Sequence, residues 1–361
     1  MGKLQKVLVM AGGTGGHVFP GLAVAKLLRD EGVDVQWLGT QKGIEARLVP
    51  QAGIPIHYIS ISGVRGKGAA SLLLAPFRLF WAIIQATRII YQIKPDVVLG
   101  MGGFASGPGG IASWLLRRPL IIHEQNAKPG TTNKWLAHLA SKVLEGFPQT
   151  FPANDKAITT GNPVRTEIAA VEAPTKRLLG RDKQPLRLLV LGGSLGAAAI
   201  NDLVPQALAQ LPQAERPEVY HQTGEKHFNQ AIAAYEDAGV KAKIVPFITN
   251  MDEAYAWADI VLCRSGALTI AELCAVGLGS ILVPYPHAID DHQTANANYL
   301  TKNKAAVLIQ QSALTNEGLN TLLQKLSASP AERTAMAEAA YGLRKTDATN
   351  KVIQICGEIC R

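Results

Sequence analysis

A pattern of strand, glycine loop and helix occurs twice in this chain of 361 residues, and it limits the possible folds more than any other feature. In each copy an aliphatic run of strand length leads into a glycine-rich loop and then into helical spacing. The segments are 7–11, 12–17 and 20–29 in the first half, and 188–191, 192–197 and 198–210 in the second half. The pattern and the length together predict two domains of one type.

Further strand candidates alternate with helical stretches, as in parallel βα units. They are 33–38, 56–61, 96–100 and 120–123 in the first half, and 218–222, 243–247, 260–263, 280–283 and 306–309 in the second half. The predicted fold class is therefore α/β, with two Rossmann-like domains facing a cleft. The predicted domains are 1–162 and 163–361, and the last helix is allowed to pack back on the first domain.

Several classes of protein are disfavoured by the composition. The uncharged stretch 97–116 is long enough to cross a membrane, but seven glycines and prolines interrupt it, so it predicts strand, loop and helix. The apolar run 7–11 is too short for a signal peptide, and no export is implied. The four cysteines have no paired CxxC spacing, which favours reduced thiols over a zinc site.

The glycine loops are typical of anion sites. A loop between strand and helix leaves backbone N–H groups at a helix N-terminus, where the dipole adds partial positive charge. The alternative is a tight turn without a ligand. Three such loops, at 12–16, 102–110 and 192–196, favour anions. None carries the Gly-Lys-Ser/Thr sequence of a nucleotide triphosphatase, so ATP hydrolysis is disfavoured.

A second kind of turn follows the predicted strand 260–263. Residues 265–267, Ser-Gly-Ala, offer backbone amides to a diphosphate at the start of a helix. Glu272 lies about one and a half turns into that helix and is placed to accept hydrogen bonds from ribose hydroxyls. The alternative is a solvated helical glutamate.

At this point the motifs resemble a known family, the peptidoglycan N-acetylglucosaminyltransferases of glycosyltransferase family 28 type. The matching strings run in family order from the first strand to about residue 300, and they are 11–20 (AGGTGGHVFP), 100–103 (GMGG), 123–126 (HEQN), 161–165 (GNPVR) and 264–269 (RSGALT). The resemblance implies a GT-B fold and inverting transfer of N-acetylglucosamine from UDP-N-acetylglucosamine to the C4 hydroxyl of the muramyl sugar of lipid I, giving lipid II. It implies no cofactor. It also implies a place in peptidoglycan synthesis, and so in cell shape and division.

The resemblance implies a set of substrate-binding residues as well. Ile248 is expected near uracil, Glu272 on the ribose, and Gln293 on the sugar hydroxyls. The full set is Thr14, Gly15, Gly16, Asn126, Arg165, Ser194, Ile248, Ala267, Leu268, Thr269, Ile270, Ala271, Glu272 and Gln293. The chain departs from the family at Phe104, where some relatives have Tyr, and around 290–293, where family patterns vary in length. UDP-N-acetylglucosamine is expected mainly in the second domain and lipid I in the first.

His17 is the predicted general base. An inverting displacement requires a group that takes the proton of the attacking hydroxyl, and an imidazole with an ordinary pKa of about 6.5 suits neutral pH. The alternative is a helix-start residue that orders the loop or binds phosphate, and Glu124 is the reserve candidate. Since the sequence has no Asp-x-Asp pair, transfer without a metal ion is predicted.

The positive charge lies in the first half of the chain. Residues 1–160 hold 17 Lys and Arg against 8 Asp and Glu, or +9, and residues 161–361 hold 19 against 20, or −1, which together give the net +8. No acidic residue occurs between 46 and 95. Basic residues beside a surplus of aliphatic ones predict contact with an anionic bilayer. The resemblance implies peripheral attachment at the cytoplasmic face of the cell (inner) membrane. The predicted membrane residues are Arg65, Lys67, Leu72, Leu73, Leu74 and Trp81. The alternative for the helix predicted to begin near Pro76 is burial of the whole helix, and burial in the core is predicted for its later isoleucines.

Two other functions stay open at this stage. A UDP-N-acetylglucosamine 2-epimerase would use the same donor without a lipid acceptor, and a nucleotide-sugar sensor would not require His17. Nucleic-acid binding is disfavoured because the basic residues alternate with aliphatic rather than stacking aromatic side chains. Expected partners are UDP-N-acetylglucosamine, lipid I, the anionic leaflet, and cell-wall synthesis and division proteins.

Overall fold

The structure, a computed structural model, describes residues 4–63, 74–153, 155–193 and 196–360. The chain forms two compact units. The first unit contains residues up to Val164 together with the segment from Thr346 onward, and the second unit is Arg165–Lys345.

The first unit is a parallel sheet covered by helices. Its strands are β1 (Lys6–Ala11), β2 (Asp34–Gly39), β3 (Ile56–Tyr58), β4 (Val97–Gly102), β5 (Leu120–Glu124), β6 (Lys142–Glu145) and β7 (Ala157–Thr159), in the order β3-β2-β1-β4-β5-β6-β7. Its helices are α1 (Gly15–Asp30), α2 (Glu45–Gln51), α3 (Ala75–Ile93), α4 (Ser106–Leu115), α5 (Thr131–Leu139) and α15 (Ala348–Ile359). Because helices cover both faces, β4 is buried along its whole length.

The last helix, α15, belongs to the core of the first unit. Its buried side chains Val352 and Cys356 lie in one hydrophobic cluster with Val18 and Leu28 of α1. The chain therefore returns to its first unit after completing the second.

The second unit repeats the architecture with six parallel strands. They are β8 (Arg187–Leu191), β9 (Glu218–Gln222), β10 (Lys243–Val245), β11 (Ile260–Cys263), β12 (Ser280–Leu282) and β13 (Ala306–Leu308), in the order β10-β9-β8-β11-β12-β13. Its helices are α6 (Thr166–Ala169), α7 (Pro174–Arg177), α8 (Ala198–Ala209), α9 (Phe228–Asp237), α10 (Met251–Trp257), α11 (Ala267–Val276), α12 (His292–Thr301), α13 (Asn316–Ala328) and α14 (Pro330–Gly342).

The predicted fold class, two parallel α/β domains, is confirmed. Every predicted strand is present, and the stretch 97–116 forms β4, a loop and α4. The sequence reading missed β6 and β7, which are short and lie at one end of the sheet. It also began the first helix at Pro20, whereas α1 begins at Gly15, so the glycines themselves form its first turn. Among the described residues, no helix combines the length and the hydrophobicity needed to span a membrane.

The strand orders place the glycine loops at the functional edge of each sheet. In each unit the order reverses between the first strand and its neighbour, at β1 and β4 in one and at β8 and β11 in the other. Doubly wound sheets bind ligands beyond the carboxyl ends of the strands at such switch points. The loops that follow these four strands therefore lie where a ligand is expected.

Candidate active site

The first glycine loop is held by a buried carboxylate. Glu45, the first residue of α2, is fully buried, and it accepts the N–H of Gly13 at 2.9 Å. Its other oxygen accepts the N–H of Thr40 at 3.0 Å and the hydroxyl of Thr40 at 2.7 Å. A Cβ at Gly39 would lie 2.8 Å from the Cγ atom of Glu45, so glycine makes room for this side chain. The expectation that the loop amides are free is thus wrong for Gly13.

Thr14, Gly15, Gly16 and His17 follow at the start of α1. Thr14 is extended and forms the N-cap, and its hydroxyl lies 3.3 Å from Nδ1 of the half-buried His17. The first amides of a helix have no partner within the helix, so those of Gly15 and Gly16 suit an anion.

The loop after β4 packs directly on the first loop. Gly102 and Gly103 both have positive φ, of 100° and 88°. A Cβ at Gly102 would lie 2.6 Å from the imidazole of His17, and one at Gly103 would collide with the carbonyl oxygen of Gly12. The buried hydroxyl of Ser106 closes this loop by donating to the carbonyl of Gly102 at 2.9 Å. Glycines at 102 and 103 therefore allow the His17 ring to lie against the end of β4.

The His-Glu-Gln-Asn motif at the end of β5 is a buried network. Both oxygens of Glu124 are occupied, one by the backbone and side-chain nitrogens of Asn126 at 3.0 and 3.1 Å. The other accepts from Gly130 at 3.0 Å and from Asn133 at 2.9 Å. Glu124 thus fixes the conformation of the loop that carries Asn126.

His123 in the same motif is neutral. Burial lowers its pKa to about 4, although a hydrogen bond to Gly161 and the charge of Glu124 oppose the change. Its Nε2–H donates to the carbonyl of Gly161 at 3.0 Å, which leaves Nδ1 to accept from the side chain of Gln125 at 3.2 Å. Asn162 donates to the carbonyl of Gln125 at 2.9 Å. Gly161 and Asn162 are therefore held against the 123–126 motif.

In the second unit, the turn after β11 begins at an arginine whose side chain is tied to neighbouring loops. One nitrogen of Arg264 donates to the carbonyls of Val283 and Pro284 at 3.1 Å, and another donates to the side-chain oxygen of Gln311. These partners are neutral, and no ion pair involves Arg264 among the described residues. The positive charge therefore remains available beside the Ser265–Gly266 turn.

Gln293 lies close to this turn. The hydroxyl of Ser265 donates to the backbone carbonyl of Gln293 at 2.8 Å, and the side-chain oxygen of Gln293 accepts the N–H of Tyr285 at 2.8 Å. The structure therefore brings Gln293 together with the start of α11, which contains Ala267, Leu268, Thr269, Ile270, Ala271 and Glu272.

Glu272 is buried rather than solvated. One oxygen lies 3.3 Å from the guanidinium of Arg165, and the other accepts the hydroxyl of Tyr255 at 2.9 Å. Burial raises the pKa of Glu272, while the charge of Arg165 and the two hydrogen bonds lower it. Two predicted residues thus form an ion pair, and the alternative of a solvated glutamate is wrong.

The glycine loop of the second unit is braced by neutral groups. Asn201 donates to the carbonyl of Thr223 at 2.9 Å and accepts from His221 at 3.1 Å. Burial lowers the pKa of His221 to about 3. Ser194, in this loop, lies outside the described residues, as do Arg65, Lys67, Leu72 and Leu73. Ile248 is buried after β10, in the wall of a separate groove of about 680 Å³ that Phe247 and Trp257 also line.

The sequence did not predict the residues that hold other site residues in place, namely Glu45, Tyr255 and Asn201. Glu45 gave one signal, since it is the last acid before the acid-free segment and two glycines, at 39 and 43, precede it closely in sequence. No sequence feature near Tyr255 or Asn201 indicated their roles. The four cysteines are free and buried, and no group of three or more His, Cys, Asp or Glu side chains in the described ranges is arranged to hold a metal ion.

Comparison with known proteins is consistent with this geometry. The glycosyltransferase family 28 N-terminal domain matches residues 7–145, and the family 28 C-terminal domain matches residues 187–352. A relative from Marinobacter nauticus, named UDP-N-acetylglucosamine–N-acetylmuramyl-(pentapeptide) pyrophosphoryl-undecaprenol N-acetylglucosamine transferase, is 53% identical over 98% of this chain and 97% of its own. A relative of the same name from Pseudomonas syringae is 52% identical over 98% of both chains.

Solved structures agree. The crystal structure of Acinetobacter baumannii MurG matches with a TM-score of 0.85 and 42% identity, over 98% of this chain and 99% of that one. A UDP-N-acetylglucosamine 2-epimerase matches with a TM-score of 0.64 but only 13% identity, over 97% and 95% of the two chains, which shows a shared fold alone. The two domain matches and the full-length relatives show that this chain is a glycosyltransferase that belongs to family 28.

Proposed function

We propose that this enzyme transfers N-acetylglucosamine from UDP-N-acetylglucosamine to the muramyl sugar of an undecaprenyl-diphosphate-linked muramyl-pentapeptide. The observation that carries the proposal is the 53% identity, over nearly the whole of both chains, with a relative named for this reaction. The site supports it, since both sheets present loops suited to phosphate at their switch points.

The donor is assigned mainly to the second unit. The turn Ser265–Gly266 and the N-terminus of α11 offer amides and a favourable dipole to the diphosphate, and Arg264 adds a full positive charge. Glu272 is assigned to the ribose, Ile248 to uracil, and Gln293 to the sugar hydroxyls. The amide nitrogen of Gln293 suits this role, because its oxygen is already used by Tyr285. The remaining donor residues are Thr14, Gly15, Gly16, Asn126, Arg165 and Ser194.

His17 is assigned as the general base of a single displacement. The acceptor oxygen attacks the anomeric carbon, its proton passes to the imidazole, and the bond to the diphosphate breaks, so that UDP leaves and the configuration inverts. The Thr14 hydroxyl and the Gly102 backbone hold the ring at the start of α1. Glu124 is disfavoured as the base, because it is buried and accepts four hydrogen bonds.

Product analysis tests the reaction. Purified enzyme is incubated with labelled UDP-N-acetylglucosamine and a short-chain lipid I analogue, and the expected product is the β-linked disaccharide lipid together with UDP. An epimerase would instead convert the donor in the absence of acceptor, and a sensor would bind the donor without turnover. Either result would contradict the proposal.

The membrane is assigned to the start of α3. Leu74 is 51% exposed, Phe77 74% and Trp81 53%, so a run of large apolar side chains faces water. Burial in the core was predicted for the later isoleucines of the helix. Ile90 is buried as predicted, but Ile84 is 41% exposed, so the prediction is wrong for Ile84. Exposed aromatic residues in a basic, acid-free segment suit the interface of an anionic bilayer. We assign the enzyme to the cytoplasmic face of the inner membrane on this basis.

Sedimentation with vesicles tests the attachment. A Leu74→Ser/Trp81→Ser double variant is expected to bind anionic vesicles less tightly than the wild type, and high salt should weaken the binding of both proteins. The matched control is Leu179→Ser, since Leu179 is 81% exposed but lies in the second unit. Equal binding by the double variant and the wild type would remove α3 from the membrane contact.

A further inference from the structure

A groove of about 760 Å³ in the first unit is not used by the donor assignments. It lies where β2 and β3 end and α3 begins, and residues 40–42 and 58–62 form two of its walls. Phe77, Arg78 and Trp81 of α3 form the third wall. We call it the α3 groove. Its volume is in the range of small-molecule sites.

The lining of the α3 groove is amphiphilic. Lys42 and Arg78 provide positive charge, and the described lining contains no Asp or Glu. The large apolar side chains, Phe77 and Trp81, are one helical turn apart and more than half exposed. Such a surface matches a ligand that has an anionic head and a hydrocarbon tail, since the head would contact the basic side chains and the tail would contact the aromatic ones.

A hydrogen bond links two walls of the groove. The N–H of Ser60 donates to the side-chain oxygen of Gln85 at 2.8 Å, which ties the segment after β3 to the middle of α3. Preformed walls reduce the entropy lost on binding.

The α3 groove is connected to the loop that carries His17. Thr40, in its wall, donates its hydroxyl to Glu45, and the other oxygen of Glu45 accepts the N–H of Gly13. One side chain thus joins the groove to the residues immediately before Thr14 and His17. The groove and the glycine loop of the first unit are therefore neighbours.

We propose that the α3 groove binds the pyrophosphoryl-prenyl end of the acceptor. Lys42 and Arg78 contact the phosphates, and Phe77 and Trp81 contact the first isoprene units. This inference rests on the proposed function, because it takes its ligand from that reaction.

The test uses full-length enzyme in detergent-free solution without a bilayer, so that attachment to membranes does not contribute. Two acceptor analogues share the muramyl-peptide diphosphate, and one carries a short prenyl chain while the other carries a methyl group. For Phe77→Ala and Trp81→Ala the acceptor KM should rise about tenfold with the prenyl analogue and stay unchanged with the methyl analogue. Lys42→Glu should raise the acceptor KM with both analogues. The donor KM should not change in any of these variants.

Trp135→Ala is the matched control, since Trp135 is an aromatic residue of α5 that is 73% exposed and does not line the groove. It should leave both acceptor KM values unchanged. The inference is overturned if Phe77→Ala and Trp81→Ala change the KM values of the two analogues equally or not at all. It is also overturned if Lys42→Glu has no effect.

Direct binding separates this inference from the reaction. A short-chain prenyl diphosphate is titrated into wild type and Lys42→Glu, and the heat of binding is measured. Saturable binding by wild type that weakens about tenfold in Lys42→Glu supports the groove even if no glycosyl transfer is found. No binding by wild type overturns the inference, whether or not the enzyme is active.

Discussion

In the first unit the loop after β1 donates to the buried carboxylate of Glu45, whereas in the second unit the turn after β11 begins at Arg264, whose guanidinium donates to the carbonyls of Val283 and Pro284. Both loops follow a central parallel strand at a switch point, and both begin a helix. The backbone pattern is shared, but the charged side chain associated with each loop has the opposite sign.

This difference teaches that a glycine loop at a helix N-terminus is not always a phosphate site. Glu45 occupies the amide of Gly13, so the first loop has one backbone donor fewer to offer a phosphate, and only the amides at the start of α1 remain for one. Arg264 donates to neutral carbonyls and adds positive charge at its turn. We therefore expect the first loop to serve the chemistry of His17, and the second turn to serve donor binding.

The largest expected effect is on His17→Ala. General-base assistance contributes about 10² to 10⁴ in rate, or about 3 to 5 kcal/mol, so kcat should fall by that factor. UDP affinity should be nearly unchanged, because the donor diphosphate is assigned to the other unit. The measurement is kcat with saturating acceptor across pH 6 to 9, together with UDP binding.

His138→Ala is the control for the loss of an imidazole, since His138 is exposed on α5. If His17→Ala keeps the wild-type kcat but weakens UDP binding, the first loop is a phosphate site and the contrast between the two units is wrong.

A second prediction concerns the pH dependence of stability. Each unit contains a buried histidine, so both units should lose stability as the pH falls. The pKa of buried His123 is about 4, against an ordinary 6.5. As pH falls below 6.5, the unfolded chain takes up a proton that the folded chain refuses until about pH 4. The stability that this residue contributes, about 3 kcal/mol, is present above pH 6.5 and lost across that interval. His221, with a pKa of about 3, acts in the same direction.

The test compares urea unfolding of wild type and His123→Gln at several pH values from 7 to 4. The variant is expected to be less stable at pH 7 but to lose less stability on acidification. His138→Gln should show the wild-type slope. A slope in His123→Gln equal to that of the wild type would mean that folding does not lower the pKa of this imidazole.

The sequence was informative where structure follows from local pattern. Strands buried on both faces must be aliphatic runs, and close loops need glycine at 102 and 103, so the strands and the loops could be predicted. Glu45 could not, because its partner Gly13 lies 32 residues away. The burial of Glu272 was missed for the same reason, since Arg165 is 107 residues distant. Only tertiary packing decides whether an acid is solvated or braces a backbone.

A third prediction concerns Glu272, which is assigned to the ribose of the donor and also holds Arg165 and Tyr255 in place. Glu272→Ala should raise the donor KM about 10- to 100-fold, or roughly 1.5 to 3 kcal/mol, because hydrogen bonds to a charged group are lost. The value of kcat should change less, since ribose contacts act equally in the ground and transition states. Tyr255→Phe is the control, as it removes only the hydroxyl that donates to Glu272. A lower melting temperature with an unchanged donor KM would make Glu272 purely structural.

The smallest expected effect tests the opposite charges directly, through Glu45→Gln and Arg264→Gln. Glu45→Gln keeps the size of the side chain but replaces one acceptor oxygen with an amide nitrogen, which cannot accept from Gly13 or Thr40. We expect kcat to fall about tenfold, or about 1.4 kcal/mol, because His17 loses its fixed position, while the donor KM stays constant.

Arg264→Gln should do the reverse, raising the donor KM about tenfold with little change in kcat, because its charge acts on the bound diphosphate throughout the reaction. The control is Glu145→Gln, which alters another buried carboxylate of the first unit that braces Phe151 rather than the loop. It should lower stability without changing either constant. If Glu45→Gln raises the donor KM while Arg264→Gln lowers kcat, the two loops have exchanged roles, and the sign of the buried charge does not decide which loop holds the phosphate.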